Sequence, residues 1–225
     1  TSGLPDMLPN NAELRAAYAT THDFVKATAE VTPDFTAGTD CRYSSMGFAV
    51  LAEIIESITQ SSCAEHLHRT VFQPAGMQSS WLGLPEDSHW SWNSPYWRTL
   101  GAPWGGMIST AEDLGRLATC LLNDGVGGDA SQATNTVWSS AVVRSCMDNQ
   151  TQHIAGLYEA DRIQRAWGFG WRKNWQDHTA TFSDFLSADA IGHWGATGTM
   201  IWIDPARARW CVILTTQPYE ESQTV

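Results

Sequence analysis

Two short segments carry side chains whose types and spacing suit proton transfer around a nucleophile. Tyr43-Ser44-Ser45 places a phenol and two hydroxyl groups ahead of an apolar stretch, and His193-Trp194-Gly195 places an imidazole ahead of a strand-like stretch. A hydroxyl group becomes a useful nucleophile only when a neighbour accepts its proton. A free tyrosine has a pKa of about 10, so it needs a nearby ammonium group to serve as that neighbour.

Each segment also has a structural interpretation. A tyrosine at the start of a helix is usually a packing residue, and so is a histidine that precedes a tryptophan. A Ser-x-x-Lys pair, which would supply a nucleophile and its proton acceptor, is absent from the 225 residues. The two lysines are Lys26 and Lys173, and the residues three positions before them are Asp23 and Gly170.

A long helix is predicted to begin at the Tyr43 segment. Apolar side chains recur at helical spacing over residues 43–59, namely at Met46, Phe48, Val50, Leu51, Ile54, Ile55 and Ile58. Further helices are predicted over residues 11–18, from residue 21, and over 62–71, 109–122 and 137–147. Residues 79–104 are predicted to be irregular and are rich in tryptophan.

The last part of the sequence favours strands. Residues 167–172, 199–203 and 210–215 are aromatic and β-branched, and residues 204–207 read as the turn of a hairpin. The chain is therefore predicted to have an α+β fold. Residues 1–165 form a mostly helical domain in this prediction, and residues 166–225 supply strands of the second domain.

The sequence around both segments resembles that of the serine β-lactamase, penicillin-binding protein and related esterase superfamily. Residues 38–48 (GTDCRYSSMGF) and 192–198 (GHWGATG) are similar to the second and third motifs of that superfamily. Other stretches resemble its landmarks in the same order along nearly the whole chain: residues 1–6, 51–56, 72–77 and 105–114. The resemblance implies an antiparallel sheet flanked by helices, plus a mostly helical domain, with the active site between them.

The resemblance assigns catalytic work to Tyr43. In the family, a lysine and the tyrosine of this motif share the proton of the nucleophilic serine, and the tyrosine passes a proton to the leaving group. Ser45 stands where relatives usually have asparagine, and it is expected to contact substrate. Because a serine is shorter and lacks the amide donor, this departure favours an esterase or a peptidase over a β-lactamase.

The third motif implies substrate contacts. His193 stands where β-lactamases carry the lysine of Lys-Thr-Gly, and it is expected to donate a hydrogen bond to an acyl or carboxylate group. Gly195 would let the substrate approach the strand closely. The backbone N–H of Ala196 would be one oxyanion donor, and the N–H of the nucleophile would be the other.

The activity implied by the resemblance is hydrolysis of a small ester, amide or lactam through an acyl-serine intermediate. Residues 1–6 resemble the segment that follows the nucleophile helix in relatives. The nucleophile helix and the first strands are therefore expected upstream of Thr1, and the printed chain is expected to be inactive by itself.

Tryptophan content supports an alternative function. The chain has 12 tryptophans, and five of them crowd between two predicted helices: Trp81, Trp90, Trp92, Trp97 and Trp104. They could pack in the core, or they could form an aromatic wall. The alternative is a non-catalytic relative that binds glycan or peptide in a tryptophan-rich cleft.

Composition argues against several other classes of protein. A formal net charge of −11 disfavours nucleic acid as a partner, and no apolar run approaches the roughly 18 residues of a membrane span. His66 and His68 point to different faces of a helix, so no metal site is expected. The glycines of residues 125–130 follow a helix instead of a strand, so no dinucleotide cofactor is expected. The five cysteines show no Cys-x-x-Cys spacing, and the cellular compartment stays open.

Overall fold

The computed structural model describes residues 1–84, 94–127, 135–154, 156–157, 166–174 and 182–215. Contacts between Cα atoms divide the chain into two compact units. Unit 1 comprises Thr1–Val71 and Ser80–Ser109, and unit 2 comprises Phe72–Ser79 and Thr110–Val225. The predicted domain boundary at residue 165 rests on the order of helices and strands, whereas the two units rest on contacts between Cα atoms. The boundary at residue 165 therefore stays a prediction.

Unit 1 is mostly helical. Its elements are α1 (Asn11–Ala16), α2 (Thr21–Glu30), α3 (Ser45–Thr59), α4 (Cys63–Leu67), α5 (Pro95–Leu100) and a hairpin of β1 (Trp81–Leu82) with β2 (Met107–Ile108). A π-helical turn, His68–Phe72, follows α4 and leads into unit 2. The core buries Leu8, Ala19, Phe24 and Met46, and the Trp104 ring packs on it.

Polar caps define where the two longest helices of unit 1 begin. The Thr20 hydroxyl accepts the N–H of Asp23 while the Asp23 carboxylate accepts the N–H of Thr20, which forms a capping box at α2. The prediction of a helix over residues 43–59 is confirmed, with α3 beginning two residues later. Ser44 is extended (φ −148°) and caps α3, and Gln60 ends it in the left-handed region (φ 55°).

Unit 2 combines helices with an antiparallel sheet. Its elements are α6 (Ala111–Leu122), β3 (Val126–Gly127), β4 (Asn135–Thr136), α7 (Ser140–Met147), β5 (Arg172–Lys173), β6 (Ile191–Gly195), β7 (Thr199–Asp204) and β8 (Arg209–Leu214). Strands β5, β6, β7 and β8 form a four-stranded sheet in that order, and β3 pairs with β4. Helices and antiparallel strands together confirm the α+β class.

The register of the sheet places its buried side chains against the helices. Ile191 lies opposite Ile203, and Ile203 lies opposite Trp210, so these three share one face. Ile191 and Ile203 are fully buried in a cluster with Ala118 and Leu121 of α6 and with Val143 of α7. This cluster fixes β6 and β7, the strands that present the second predicted segment.

Three predictions of local structure need correction. Helix α5 was missed, although Ser94 caps it and Pro95 occupies its first position. A strand over residues 167–172 is wrong, because Trp167 bridges Arg172 across a tight turn that contains Gly170 (φ 77°). The strand-like run after His193 is two strands, because residues 196–198 form a hairpin turn.

Candidate active site

The Tyr43 segment is held at the N-terminus of α3 by Ser44. The Ser44 Oγ atom accepts the N–H of Gly47 at 2.9 Å and donates to the carbonyl oxygen of Pro5 at 3.1 Å. The first contact replaces an intrahelical bond that the first turn of a helix lacks. The second ties the helix start to a segment that lies 39 residues earlier in the chain.

Ser45 is bound to the side chain of Asp6. Its backbone N–H and its hydroxyl group both donate to Oδ1 of Asp6, at 2.9 and 2.5 Å, and only 9% of the residue is exposed. A hydrogen bond to a carboxylate is stronger than one between neutral groups, so this contact orients Ser45 firmly. Substrate contact by Ser45 stays a prediction.

Tyr43 combines an exposed side chain with a raised pKa. The residue is 53% exposed. Partial burial of the phenol raises its pKa, and the negative charge of Asp6 raises it further. A raised pKa keeps the phenol in its protonated form at neutral pH. A cation close to the phenol would be needed to make it a base.

The hydrogen bond of His193 determines which of its ring nitrogens carries a proton. His193 lies in the middle of β6, and its Nδ1 is 2.8 Å from the carbonyl oxygen of Trp194. A carbonyl oxygen can only accept, so Nδ1 must be the donor. In the neutral ring, Nε2 is therefore an acceptor. The predicted role as a donor to substrate requires the doubly protonated ring.

Protonation of His193 is disfavoured. Burial lowers its pKa, the bond to Trp194 opposes that shift, and the positive charge of Arg172 adds to the lowering. The Arg172 guanidinium lies over the Trp194 ring, 3.9 Å from its centroid, which keeps this cation beside the histidine segment. The Trp167 ring also lies next to the imidazole, with centroids 5.8 Å apart.

Gly195 and Ala196 lie where β6 turns into β7. Gly195 pairs with Thr199, and a Cβ atom on Gly195 would lie 2.6 Å from the Thr199 Oγ1 atom. The glycine therefore leaves room for the Thr199 hydroxyl, which is a structural role in addition to the predicted substrate contact. Ala196 is exposed in the hairpin turn, which Gly198 (φ 84°) closes by donating to Gly195. Its role as an oxyanion donor stays a prediction.

The structure therefore gathers the predicted residues at two places. Tyr43 and Ser45 lie together at the N-terminus of α3 in unit 1, whereas His193, Gly195 and Ala196 lie together at the end of β6 in unit 2. Asp6 was not predicted, and no local pattern could have indicated it, since its partner Ser45 is 39 positions away.

Several other predicted features belong to packing. The Trp104 ring lies 5.2 Å from Phe24 and 6.1 Å from Trp97, and the Arg15 guanidinium lies over Trp97. Trp81 is partly exposed on β1, while Trp90 and Trp92 lie outside the described residues. For Trp97 and Trp104, the interpretation as packing residues is thus supported.

Within the described parts of the chain, no group of three or more His, Cys, Asp or Glu side chains is arranged to hold a metal ion. No helix of those parts is long and apolar enough to cross a membrane. Gly125 (φ 87°) donates to the carbonyl oxygen of Cys120 at the end of α6, which makes the first of the predicted loop glycines a helix terminator. Residues 128–130 of that loop lie outside the description.

Comparison with known proteins identifies the family. The beta-lactamase family model matches residues 1–225, and the chain belongs to this family of serine hydrolases. Penicillin-binding protein 4 of Amycolatopsis lactamdurans is 30% identical over 193 residues, which cover 78% of this chain and 46% of that protein. The chain spans about half the length of the curated relatives it matches.

Solved structures share the fold. A penicillin-binding protein from Bacillus halodurans superposes with a TM-score of 0.69 at 19% identity, covering 97% of this chain and 66% of that one. A family VIII carboxylesterase superposes with a TM-score of 0.69 at 17% identity, covering 91% of this chain and 60% of that one. The β-lactamase-like fold predicted from the sequence is thereby confirmed.

Proposed function

We propose that the protein hydrolyses small esters or amides through an acyl-serine intermediate, with Tyr43 as the proton-transfer residue. The observation that carries the proposal is the Tyr43 phenol, exposed at the capped start of α3 in a chain that the family model matches throughout. Its raised pKa suits the protonated form, which donates to a leaving group. A cation brought close to it would lower that pKa and permit the base role.

The substrate preference follows from His193 and Ser45. Because Nδ1 donates to Trp194, the neutral His193 ring has no second N–H to donate to a substrate carboxylate. The Ser45 hydroxyl donates to Asp6. Unlike the asparagine that is usual in relatives, Ser45 has no amide NH2 group to donate to a substrate. Both features favour an esterase or a peptidase over a β-lactamase.

The proposal also concerns the position of the nucleophile. Because the 225 residues contain no Ser-x-x-Lys, we propose that they form no acyl-enzyme by themselves and that the reactive serine belongs to a segment outside them. Small acyl substrates are the proposed partners, and nucleic acid is not one of them, as the net charge of −11 predicts.

A substitution at Tyr43 tests this assignment. In the protein expressed from its own reading frame, Tyr43→Phe should lower kcat/KM for p-nitrophenyl acetate by about 100-fold or more, because it removes the proton that the mechanism moves. The matched control is Tyr18→Phe, which removes a hydroxyl group from another exposed tyrosine of unit 1 and should leave the rate unchanged.

Two results would contradict the proposal. One is the absence of ester turnover by the parent protein, meaning the unsubstituted protein expressed from its own reading frame. The other is a Tyr43→Phe variant whose rate stays within about twofold of the parent rate, since loss of a proton-transfer residue costs far more. A non-catalytic relative that binds glycan or peptide would give the first result.

A further inference from the structure

A concave site on unit 2 lies between α6 and β8, beside β3. It has a volume of about 390 Å³ and is lined by residues that include Glu112, Arg116, Thr119, Asn123 and Trp210. None of the predicted active-site residues lines it. Ligand sites in proteins have volumes of roughly 300–1,000 Å³, so this one is large enough for a single six-membered ring.

The Trp210 ring is a fixed wall of this site. A Cβ atom on Gly115 would lie 2.4 Å from the ring, so the glycine lets the indole rest directly on α6. The indole N–H donates to the Thr119 Oγ1 atom at 3.1 Å, which sets the orientation of the ring. Trp210 nevertheless remains 40% exposed. A large apolar surface that is held in one orientation and open to solvent suits a stacking ligand.

The polar groups around this wall include both donors and acceptors. Arg116 pairs with Glu112 at 2.8 Å and lies against the Gly76 turn, whose missing side chain leaves room for the guanidinium. Asn123, at the end of α6, adds an exposed amide group. Arg116 also lies 4.0 Å from the buried Asp113 carboxylate, so the two acidic groups offset its positive charge and the site does not favour an anionic ligand.

We propose that this site binds the pyranose ring of a saccharide, with one apolar C–H face on Trp210. Sugar hydroxyl groups each donate and accept, so a mixed set of guanidinium, carboxylate and amide groups matches them better than it matches a cation or an anion. Glu112 accepts, Arg116 donates, and Asn123 can do both. The proposal goes beyond the acyl-serine activity and does not depend on it.

Saturation-transfer NMR with three trisaccharides, cellotriose, maltotriose and the N-acetylglucosamine trimer, tests this site. At about 10 mM, at least one should receive saturation from the protein, as expected for a dissociation constant of about 1 mM. Trp210→Ala should weaken its binding about tenfold, the size of an aromatic stacking contribution. Phe185→Ala is the control, because it removes a 90% exposed aromatic ring of unit 2 that does not line the site.

A second variant keeps the test decisive if Trp210→Ala fails to fold. Glu112→Gln with Asn123→Ala alters only exposed positions and should weaken binding roughly threefold to tenfold, the range for one net hydrogen bond. The proposal is overturned if no trisaccharide binds, if both folded variants bind as the parent does, or if Phe185→Ala weakens binding equally. Because Tyr43→Phe should leave binding unchanged, failure here is distinguishable from failure of the proposed hydrolysis.

Discussion

At the scale of single residues, His193 couples the stability of the fold to pH. Its folded-state pKa is lowered by burial and by Arg172, so the folded protein binds this proton less readily than the unfolded chain, where the value is near the ordinary 6.5. The neutral ring therefore contributes stability that is present above about pH 6.5 and is lost as the pH falls.

Urea unfolding at two pH values measures this contribution. Between about pH 7.5 and 5.5, the free energy of unfolding of the parent should fall, and His193→Gln should reduce the size of that fall because glutamine does not titrate. His153→Gln, at an exposed histidine of the same unit, is the control substitution, and the fall measured for His193→Gln is compared with the fall measured for it. Identical pH profiles for His193→Gln and the parent would contradict this interpretation.

The candidate residues could be selected from sequence motifs, but their hydrogen bonds could not be predicted. Tyr43, Ser45, His193, Gly195 and Ala196 could be selected because each belongs to a short motif. The Asp6 contact to Ser45 spans 39 positions, and the direction of the His193 imidazole depends on the rotamer that β6 allows. The first contact comes from tertiary packing, which periodicity does not encode. The second joins neighbouring residues and depends on the orientation of one side chain.

At the scale of elements, the start of α3 sets the position of Tyr43. Ser44→Ala should lower the free energy of unfolding by about 1 kcal/mol, because it leaves the N–H of Gly47 without its side-chain acceptor. Ser57→Ala lies at an exposed interior position of the same helix and should be neutral or slightly stabilising, since alanine is the better helix former. Equal effects of the two substitutions in urea unfolding would show that Ser44 is not a functional cap.

The elements with strong local signals were predicted well. Helix α3 has seven apolar residues at helical spacing, and α6 begins at a hydroxyl cap followed by two acidic residues. The errors arose where a glycine or a proline determined the local backbone conformation and the amino-acid composition did not. Residues 167–172 have the aromatic content of a strand, but Gly170 turns the chain back so that Trp167 meets Arg172. The Ser94-Pro95 start of α5 was hidden in a stretch that looked irregular.

At the scale of the whole molecule, the fold and the proposed catalytic reaction are supported by different observations. Family membership and the β-lactamase-like fold follow from the match over residues 1–225 and from the superposed structures. These residues contain no Ser-x-x-Lys motif, so the proposed acyl-serine reaction draws its nucleophile from a segment outside them. The most informative experiment is therefore one that detects the reactive serine directly.

Labelling with a fluorophosphonate, read by intact mass and peptide mapping, is that experiment. The protein expressed from its own reading frame should gain one phosphonyl adduct on a serine that lies outside the 225 residues, because an activated serine attacks this electrophile. The 225-residue chain should remain unlabelled under the same conditions. An unlabelled parent protein, or an adduct on a serine within the 225 residues, would contradict the proposed mechanism.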